Sequence, residues 1–293
     1  MKEKRFNVGV VGVGYVGSAV SQCMRSVANI KTYDKYKESD TLKEVVDHSD
    51  IIFVCVPTPM KKNSGICDTS IVEQACLGIA RETDQRKIIV IKSTVVPKTT
   101  EKINSLLGNK HTVVFNPEFL TEANWKEDFL YQDRIILGHT NDRSFYDILD
   151  LHNLYFTFLE ESQGKYNKIP ILITTSTTAE LLKYVMNSFL ATKVMFFNSI
   201  YEICEKSEVD YSELIGLVES DNRIGKSHMK VPGPDGDLGF AGSCFPKDIN
   251  GLINYAESIQ AKPELLKAVW SENLKIRKDR NWESMLGRAI SED

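Results

Sequence analysis

Apolar residues in the first half of the chain fall into short continuous runs, separated by stretches with helical periodicity. The run from Ile51 to Val56 is apolar throughout, which is typical of a strand covered on both faces of a parallel sheet. Comparable runs predict further strands at Phe6–Gly12, Ile30–Tyr33, Lys87–Ile91, Val113–Phe115 and Ile135–Leu137, with helices at Tyr15–Val27, Leu42–His48 and Ser70–Arg81. This alternation predicts an α/β domain with a doubly wound parallel sheet.

The periodicity changes near Ile173. A single helical pattern then runs from Thr177 to about Glu208 without Pro or Gly. Shorter helices are predicted at Ser212–Glu219, Lys247–Ser258 and Pro263–Lys278, and a loop rich in Gly and Pro, Val231–Ser243, precedes Cys244. We therefore expect two domains, residues 1–174 and residues 175–293, of which the second is mainly helical with a long central helix that bridges the two.

Composition narrows the class of partner. The chain has 293 residues, with 36 basic and 40 acidic side chains and a formal charge of -4, so we expect neither nucleic acid nor a membrane as partner. The N-terminus has no signal-peptide pattern, and no apolar stretch is long enough to cross a bilayer. The six cysteines form no C-x-x-C pair and have no zinc-ligand spacing, so we expect reduced thiols, no metal and a cytoplasmic protein.

A glycine motif, Gly12-Val13-Gly14-Tyr15-Val16-Gly17, follows the first predicted strand and opens the first predicted helix. In this context the three glycines permit a tight turn, approach of a pyrophosphate and close packing of helix on strand. Asp34 follows the second strand, where a carboxylate binds the ribose hydroxyls and repels a 2′-phosphate. These features predict a Rossmann-type domain that binds NAD rather than NADP, although Lys35 and Lys37 could weaken the discrimination.

Cys244 is the cysteine with an activating context. It follows the glycine-rich loop, and Pro246 suits the first turn of a helix. A thiol at a helix N-terminus, close to Lys247, favours the thiolate, which can attack a carbonyl carbon. A structural cysteine is the alternative, which sequence position alone favours. For the other five cysteines, small buried hydrophobes are the favoured interpretation.

Glu180, Lys183 and Asn187 are spaced so that they share one face of the long helix. An ammonium and an amide on that face could stabilise an oxyanion. The alternative is a solvated polar stripe, which periodicity alone favours.

Three loops follow predicted strands of the first domain: Pro57-Thr58-Pro59, Ser93-Thr94 and Asn116-Pro117-Glu118-Phe119-Leu120. In open α/β sheets ligands bind beyond the carboxyl ends of the strands, where such loops lie. The prolines could equally just end the strands. Because Glu118 is flanked by Pro117 and Phe119, we expect it to have a raised pKa and to serve as a base.

Together these motifs resemble the UDP-glucose/GDP-mannose dehydrogenase family. The segments that carry the resemblance occur in the family's order from residue 6 to about residue 260: Gly12 to Gly17, Asp34, Cys55 to Pro59, Ser93 to Val95, Asn116 to Leu120, Lys183 with Asn187, Asn222 to Gly225, and Gly239 to Asp248. The resemblance implies a four-electron oxidation of a nucleotide sugar, with UDP-glucose as the default substrate and two NAD consumed per sugar.

The resemblance also implies roles for individual residues. Cys244 would form a thiohemiacetal and then a thioester, Lys183, Asn187 and Asp248 would hold the oxyanions and a water, Thr94 would position that water, and Glu118 would act as base. The implied NAD contacts are Gly12, Gly14, Tyr15, Val16, Gly17, Asp34, Lys35, Val56, Pro57, Thr58, Ser93, Thr94, Glu122 and Lys247. The implied substrate contacts are Glu118, Phe119, Leu120, Lys183, Asn187, Arg223, Phe240 and Gly242.

Arg223 resembles an arginine that reaches the sugar of a neighbouring subunit, so the resemblance implies a homodimer built on the long helix. A solvated loop arginine is the alternative.

Two departures from the family stand out. Ala241-Gly242 replaces a pair of glycines before Ser243-Cys244, and an alanine held at positive φ would be strained. Family members normally continue into a third, Rossmann-like domain, whereas this sequence stops at Asp293. A truncated fragment and a naturally short form are both open, and so are nucleotide recognition and affinity.

Two rival functions remain open. One is a two-electron dehydrogenase of the hydroxy-acid or phosphogluconate type, which shares the domain plan and needs only the lysine and the asparagine. The other is a non-catalytic protein that binds NAD or a nucleotide sugar. The number of NADH released per sugar separates these possibilities.

Overall fold

The computed structural model describes residues 6–108, 110–163 and 169–292. The strands are β1 (Phe6–Val11), β2 (Ala28–Tyr33), β3 (Ile51–Val54), β4 (Met60–Lys61), β5 (Ile88–Ile91), β6 (Thr112–Phe115), β7 (Ile135–His139), β8 (Ile171–Thr175) and β9 (Ile290–Ser291). The α-helices are α1 (Tyr15–Cys23), α2 (Leu42–His48), α3 (Ser70–Glu82), α4 (Thr99–Leu106), α5 (Trp125–Leu130), α6 (Asp142–Gln163), α7 (Ser176–Ser207), α8 (Tyr211–Val218), α9 (Cys244–Ser258) and α10 (Glu264–Ile276).

The chain divides into two compact units. The sheet unit comprises Met1–Thr58 and Thr69–Lys183, and the helical unit comprises Pro59–Asp68 and Tyr184–Asp293. The predicted boundary between residues 174 and 175 lies nine residues before the observed one, which follows Lys183. The sequence did not predict that the short segment Pro59–Asp68 belongs to the helical unit. It belongs there because β4 pairs with β9, with Met60 opposite Ile290.

The sheet unit contains a seven-stranded sheet in the order β2-β1-β3-β5-β6-β7-β8. The strand order reverses between β1 and β3, and this switch point is where open α/β sheets bind ligands. Strands β1 and β3 are almost wholly buried, as their continuous apolar runs predicted. The predicted Rossmann-type, doubly wound architecture is confirmed.

One strand pair departs from the parallel arrangement of the sheet. β7 runs antiparallel to β6, with Val114 opposite His139. The only helix between these strands is the six-residue α5, which at 1.5 Å per residue is roughly 9 Å long. It is too short to carry the chain back along the sheet, so the chain re-enters the sheet in the opposite direction.

Helix α6 lies in a part of the chain where no element was predicted. Ile148, Leu151, Tyr155 and Phe158 of this helix are buried in the core of the sheet unit. Their spacing of three and four residues is the helical period, so the signal was present in the sequence. By contrast, the predicted bounds of α2 are those observed, because Thr41 and Glu44 form a capping box that marks its start.

The helical unit is built from α8 to α10 and the larger, C-terminal part of α7, which begins at Ser176 and ends at Ser207. Its main core consists of Ala191, Met195, Phe240, Ile249, Ile253 and Val269. Among the described residues, we find no helix with the length and apolar character needed to span a membrane.

Candidate active site

The glycine turn lies between β1 and α1, and its three glycines meet different surroundings. A Cβ on Gly12, which has φ +92°, would lie 2.8 Å from the Cys55 carbonyl oxygen, and a Cβ on Gly17 would lie 1.9 Å from the Gly12 carbonyl oxygen. A Cβ on Gly14 would meet nothing within 4 Å. Packing therefore requires the first and third glycines, whereas Gly14 leaves open backbone, which fits the approach of a dinucleotide phosphate.

Helix α1 follows this turn directly. Tyr15 is its first residue and is exposed, and Val16 is half-buried. The N-cap residue, Gly14, has no side chain to cap this helix start, and a helix N-terminus favours an anion.

Asp34 directly follows β2 and ties the glycine turn to that strand. Its Oδ2 accepts a hydrogen bond from the Val13 N–H at 2.7 Å, and its Oδ1 accepts one from the Tyr36 N–H at 2.9 Å. Lys37 donates to the Val13 carbonyl oxygen, whereas Lys35 lies over the Tyr36 ring. Of the two lysines, Lys37 therefore contacts the glycine turn.

The loops after β3 and β5 lie at the same edge of the sheet as Gly12, because these strands are parallel neighbours of β1. Ser93 donates a hydrogen bond to the Val56 carbonyl oxygen at 2.7 Å and so joins the two loops. Thr58 is buried, Thr94 half-buried, Pro57 exposed, and Glu122, farther along, exposed. The structure thus gathers the predicted loop residues at the switch point, and contact with NAD remains a prediction for each.

A buried polar network lies beneath this edge and was not predicted. The Lys92 ammonium is 3.2 Å from Glu118 Oε2 and donates a hydrogen bond to Asn116 Oδ1 at 3.0 Å. Tyr155 also donates to Asn116 Oδ1, and the Asn116 amide donates to the Ile136 carbonyl oxygen at 2.8 Å. Glu118 Oε1 accepts hydrogen bonds from the N–H groups of Phe119 and Leu120 at 2.6 and 2.8 Å.

The neighbours of Lys92 stabilise its charged form. Burial is the largest single influence and lowers the pKa of Lys92, but Glu118, Tyr155 and Cys55 together raise that pKa above its usual value. Burial raises the pKa of both Cys55 and Tyr155 to about 12, so these neighbours stay neutral. The Glu118 carboxylate contacts an ammonium and two backbone N–H donors, and the predicted base role stays a prediction.

Phe119, Leu120 and Lys183 are predicted substrate contacts that lie in the sheet unit. The Lys183 ammonium lies 5.3 Å from the centre of the Phe119 ring, and the Arg134 guanidinium lies 4.6 Å from it. Leu120 packs against the core. Lys183 and Phe119 are therefore brought together.

Glu180 has a structural role. Its carboxylate accepts hydrogen bonds from the Lys98 N–H at 2.6 Å and from the Thr100 N–H at 2.8 Å, at the start of α4. Burial raises the pKa of Glu180 to about 7, although the hydrogen bonds from Thr100 and Lys98 act to lower it. Glu180, Lys183 and Asn187 are 0%, 7% and 8% exposed, so the alternative of a solvated stripe is wrong.

In the helical unit Cys244 is the first residue of α9. It is exposed, whereas the other five cysteines are buried or half-buried, and none of the six forms a disulfide in the described residues. The helix was predicted from Lys247 and begins three residues earlier, so the thiol lies on its first turn. The Ser243 hydroxyl is 3.8 Å from the Cys244 sulfur.

Asp248 organises the remaining predicted residues of this unit. It is buried, forms an ion pair with Lys247 and accepts a hydrogen bond from the Asn187 amide. Burial would lower the pKa of Lys247, but Asp248, Cys244 and Cys67 together raise it. Lys247 therefore keeps its charge, paired with Asp248, three residues after Cys244 in α9.

The loop before Cys244 is held by three asparagines that sequence reasoning missed. Asn198 accepts a hydrogen bond from the Gly239 N–H at 3.0 Å, and Asn281 accepts one from the Gly242 N–H at 3.0 Å. Asn273 binds both the N–H and the carbonyl of Phe240, whose side chain is buried in the core. Positive φ occurs at Gly239 and Gly242 and not at Ala241, so the expected strain is absent there.

Arg223 lies in a loop after α8. Its side chain is 89% exposed and pairs with Asp221, with Nε 2.9 Å from Oδ1. Both interpretations of Arg223 therefore stay open.

A doubly wound sheet with a glycine turn at its switch point defines the sheet unit as a dinucleotide-binding domain. The chain matches the UDP-glucose/GDP-mannose dehydrogenase family, its NAD binding domain over residues 25–159 and its central domain over residues 177–275. This chain belongs to that family. The prediction of NAD as the cofactor is thereby confirmed.

Individual relatives agree with this assignment. UDP-glucose 6-dehydrogenase of Rickettsia prowazekii is 39% identical over 84% of this chain, and UDP-glucose 6-dehydrogenase TuaD of Bacillus subtilis is 31% identical over 92%. This chain covers 56% and 63% of the two relatives, so it spans little more than half of the first and less than two thirds of the second.

Solved structures share the fold. A UDP-glucose dehydrogenase from Pyrobaculum islandicum matches with a TM-score of 0.79 and 28% identity, over 94% of this chain and 69% of that one. A 3-hydroxyisobutyrate dehydrogenase from Mycobacterium tuberculosis matches with a TM-score of 0.71 at 14% identity, over 92% of this chain and 93% of that one, which shows a common fold alone.

Proposed function

We propose that this protein is an NAD-dependent nucleotide-sugar 6-dehydrogenase that oxidises a primary alcohol to a carboxylate, with UDP-glucose as substrate and UDP-glucuronate as product. The names of its relatives support the substrate class. A cytoplasmic location and a homodimer are part of the proposal.

One observation carries the covalent mechanism. Cys244 is the exposed cysteine of the chain, and it stands on the first turn of α9 beside the charged Lys247. A helix N-terminus and a nearby ammonium are the electropositive surroundings in which nucleophilic cysteines are found. A structural cysteine needs none of these features and is normally buried.

The proposed reaction has two oxidations. NAD supplies the hydride acceptor for each of them. The C6 alcohol loses a hydride and a proton to become an aldehyde, and Cys244 forms a C–S bond to the aldehyde carbon. The resulting thiohemiacetal loses a second hydride together with its hydroxyl proton and becomes a thioester. Water then breaks the C–S bond, which releases the carboxylate and restores the thiol.

Other residues receive supporting roles. We assign oxyanion stabilisation to Lys183 and to Asn187, whose amide is bound to Asp248. We assign Thr94 to positioning of the hydrolytic water and Glu118 to its deprotonation, because Glu118 is held as a carboxylate that can accept a proton.

For the cofactor, open backbone at Gly14 and the uncapped start of α1 fit the pyrophosphate. We assign Asp34 to the ribose hydroxyls, which makes NAD the preferred form. The loop residues from Val56 to Thr58 and Ser93 to Thr94, with Lys35, Glu122 and Lys247, complete the proposed NAD contacts.

Stoichiometry tests the reaction. The full chain is incubated with excess NAD and limiting UDP-glucose, and absorbance at 340 nm is followed. We expect two NADH per sugar and a sugar adduct on the Cys244 peptide in mass spectrometry. One NADH with free aldehyde would favour the two-electron rival. Binding of NAD without turnover across a panel of UDP- and GDP-sugars would favour the non-catalytic rival.

The homodimer proposal is supported by exposed apolar side chains along α7. Val185, Phe189, Phe196 and Ile203 are 49%, 64%, 58% and 58% exposed, which is unusual for four large apolar groups on one helix. Light scattering should give twice the monomer mass, and Phe189→Glu should give the monomer. A monomeric wild-type chain would refute this part, together with a role for Arg223 across an interface.

A further inference from the structure

Lys92 is a buried charge in the sheet unit. It directly follows β5 and is 4% exposed, although lysine is rarely buried without a specific partner. Its ammonium contacts Glu118 at 3.2 Å and Asn116 at 3.0 Å, and it lies 6.0 Å from the centre of the Phe129 ring.

Stability alone does not account for this lysine. Removing two charges from water costs several kcal/mol per ion, and well-packed hydrophobic replacements of buried pairs are often neutral or stabilising. A methionine would fill the same space between the apolar strands. The position therefore requires the ammonium for something besides packing.

The surrounding groups aim the ammonium at one oxygen of Glu118. Asn116 donates its amide to the Ile136 carbonyl oxygen, so its Oδ1 must face Lys92 and Tyr155. Backbone N–H groups of Phe119 and Leu120 hold Oε1 of Glu118, and Lys92 holds Oε2. With both oxygens held, the carboxylate has a defined direction.

We propose that Lys92 is a positioning residue, whose ammonium binds Oε2 of Glu118 and orients this carboxylate as the base for thioester hydrolysis. This inference rests on the base role that the proposed function gives to Glu118. Lys92 itself touches neither substrate nor cofactor in the proposal.

The charged and titratable groups around the pair come from several elements. Cys55 follows β3 and Tyr155 belongs to α6, and both stay neutral because burial raises their pKa to about 12. Lys183 and Arg134 lie over the Phe119 ring, on the residue next to Glu118. Lys92 is the cation in direct ion-pair contact with Glu118. Its removal should therefore move the titration of Glu118 to higher pH.

The test compares Lys92→Met, Lys92→Arg, Glu118→Gln and the double variant Lys92→Met with Glu118→Gln. The first readout needs no turnover: carboxyl ¹³C NMR of glutamate-labelled protein, with the Glu118 signal assigned by its loss in Glu118→Gln. We expect the midpoint of Glu118 to rise by about one pH unit or more in Lys92→Met and to return toward wild type in Lys92→Arg. An unchanged midpoint in folded Lys92→Met would overturn the proposal.

The second readout is single-turnover hydrolysis of the Cys244 thioester as a function of pH. The pH below which the hydrolysis rate falls should rise by the same amount as the NMR midpoint. The rate of Lys92→Met should therefore recover at high pH. A uniform loss at every pH would show a merely structural lysine. If no nucleotide sugar reacts at all, the proposed function fails, while the NMR titration still decides whether Lys92 controls Glu118.

The double variant keeps the test decisive if Lys92→Met fails to fold. If the single variant unfolds because Glu118 is left as an unpaired buried charge, Lys92→Met with Glu118→Gln should regain most of the melting temperature. Equal destabilisation in both variants would mean that Lys92 is needed for packing alone, which contradicts the proposal.

Discussion

Each unit contains a buried lysine–carboxylate pair, and the two pairs are built differently. In the sheet unit Lys92 and Glu118 follow different strands, β5 and β6, and meet only when those strands pair. In the helical unit Lys247 and Asp248 are adjacent residues of α9. The first pair holds a proposed base inside the fold, whereas the second places a charge beside an exposed thiol.

The comparison indicates which proposed site residues also stabilise the fold and which do not. The candidate residues of the sheet unit also hold the unit together, because their backbones and side chains are packed and hydrogen bonded. The proposed nucleophile of the helical unit, the Cys244 thiol, is exposed. Changes in the sheet unit should therefore affect stability and binding together, and a change at Cys244 should affect chemistry alone.

The largest expected effect is on turnover. Cys244→Ser should lower NADH formation on the order of 10³-fold or more, because the hydroxyl is a far weaker nucleophile than the thiolate. Its melting temperature should match wild type. Cys204→Ala is the matched control, since it opens a cavity at a buried cysteine and should lower stability while activity remains. Full activity in Cys244→Ser would end the covalent mechanism.

The glycine turn separates packing from binding within one motif. Gly17→Ala forces a methyl group against the Gly12 carbonyl oxygen and should cost about 3 kcal/mol or more in the free energy of unfolding. Gly14→Ala meets open space, so stability should hold while NAD affinity falls roughly tenfold. Urea denaturation and NADH fluorescence titration measure the two effects. Similar behaviour of both variants would contradict the separate roles.

Glu180 makes the stability of the sheet unit depend on pH. Its pKa rises from 4.5 to about 7 on folding, so the folded state binds a proton more tightly than the unfolded state. The associated stability is fully present below pH 4.5, falls as the pH rises, and is lost above about pH 7, a change of no more than about 3 kcal/mol. Denaturation curves from pH 4.5 to 8 should show this loss in wild type and not in Glu180→Gln. Equal slopes in both proteins would refute it.

The smallest effect concerns cofactor choice. Asp34→Asn keeps an acceptor for the Val13 N–H but removes the charge, so NADH affinity should fall about tenfold and discrimination against NADPH should weaken. Asp40→Asn, whose carboxylate bonds the Thr32 N–H on the same strand, is the control and should leave both affinities unchanged. Unchanged discrimination in Asp34→Asn would remove Asp34 from the ribose site.

Local sequence signals predicted much of this protein. The glycine motif, the acid after β2, the bounds of α2 and the thiol at a helix start each depend on residues close together in the chain. Spacing of this kind is sufficient because turns, caps and helix faces are local structures. The family, the fold class and NAD followed from these signals. The antiparallel β7 did not, because strand direction depends on the path of a connection across the sheet.

Only the tertiary structure decided which distant side chains meet. In the folded protein, Lys92 and Tyr155 both donate hydrogen bonds to Asn116. Glu180 accepts a hydrogen bond at the start of α4, and the segment Pro59–Asp68 pairs through β4 with β9. A lysine after a strand or a glutamate on a helix looks like any surface charge in sequence. Its burial and its partner are properties of contacts between segments far apart in the chain, and local periodicity carries no information about them.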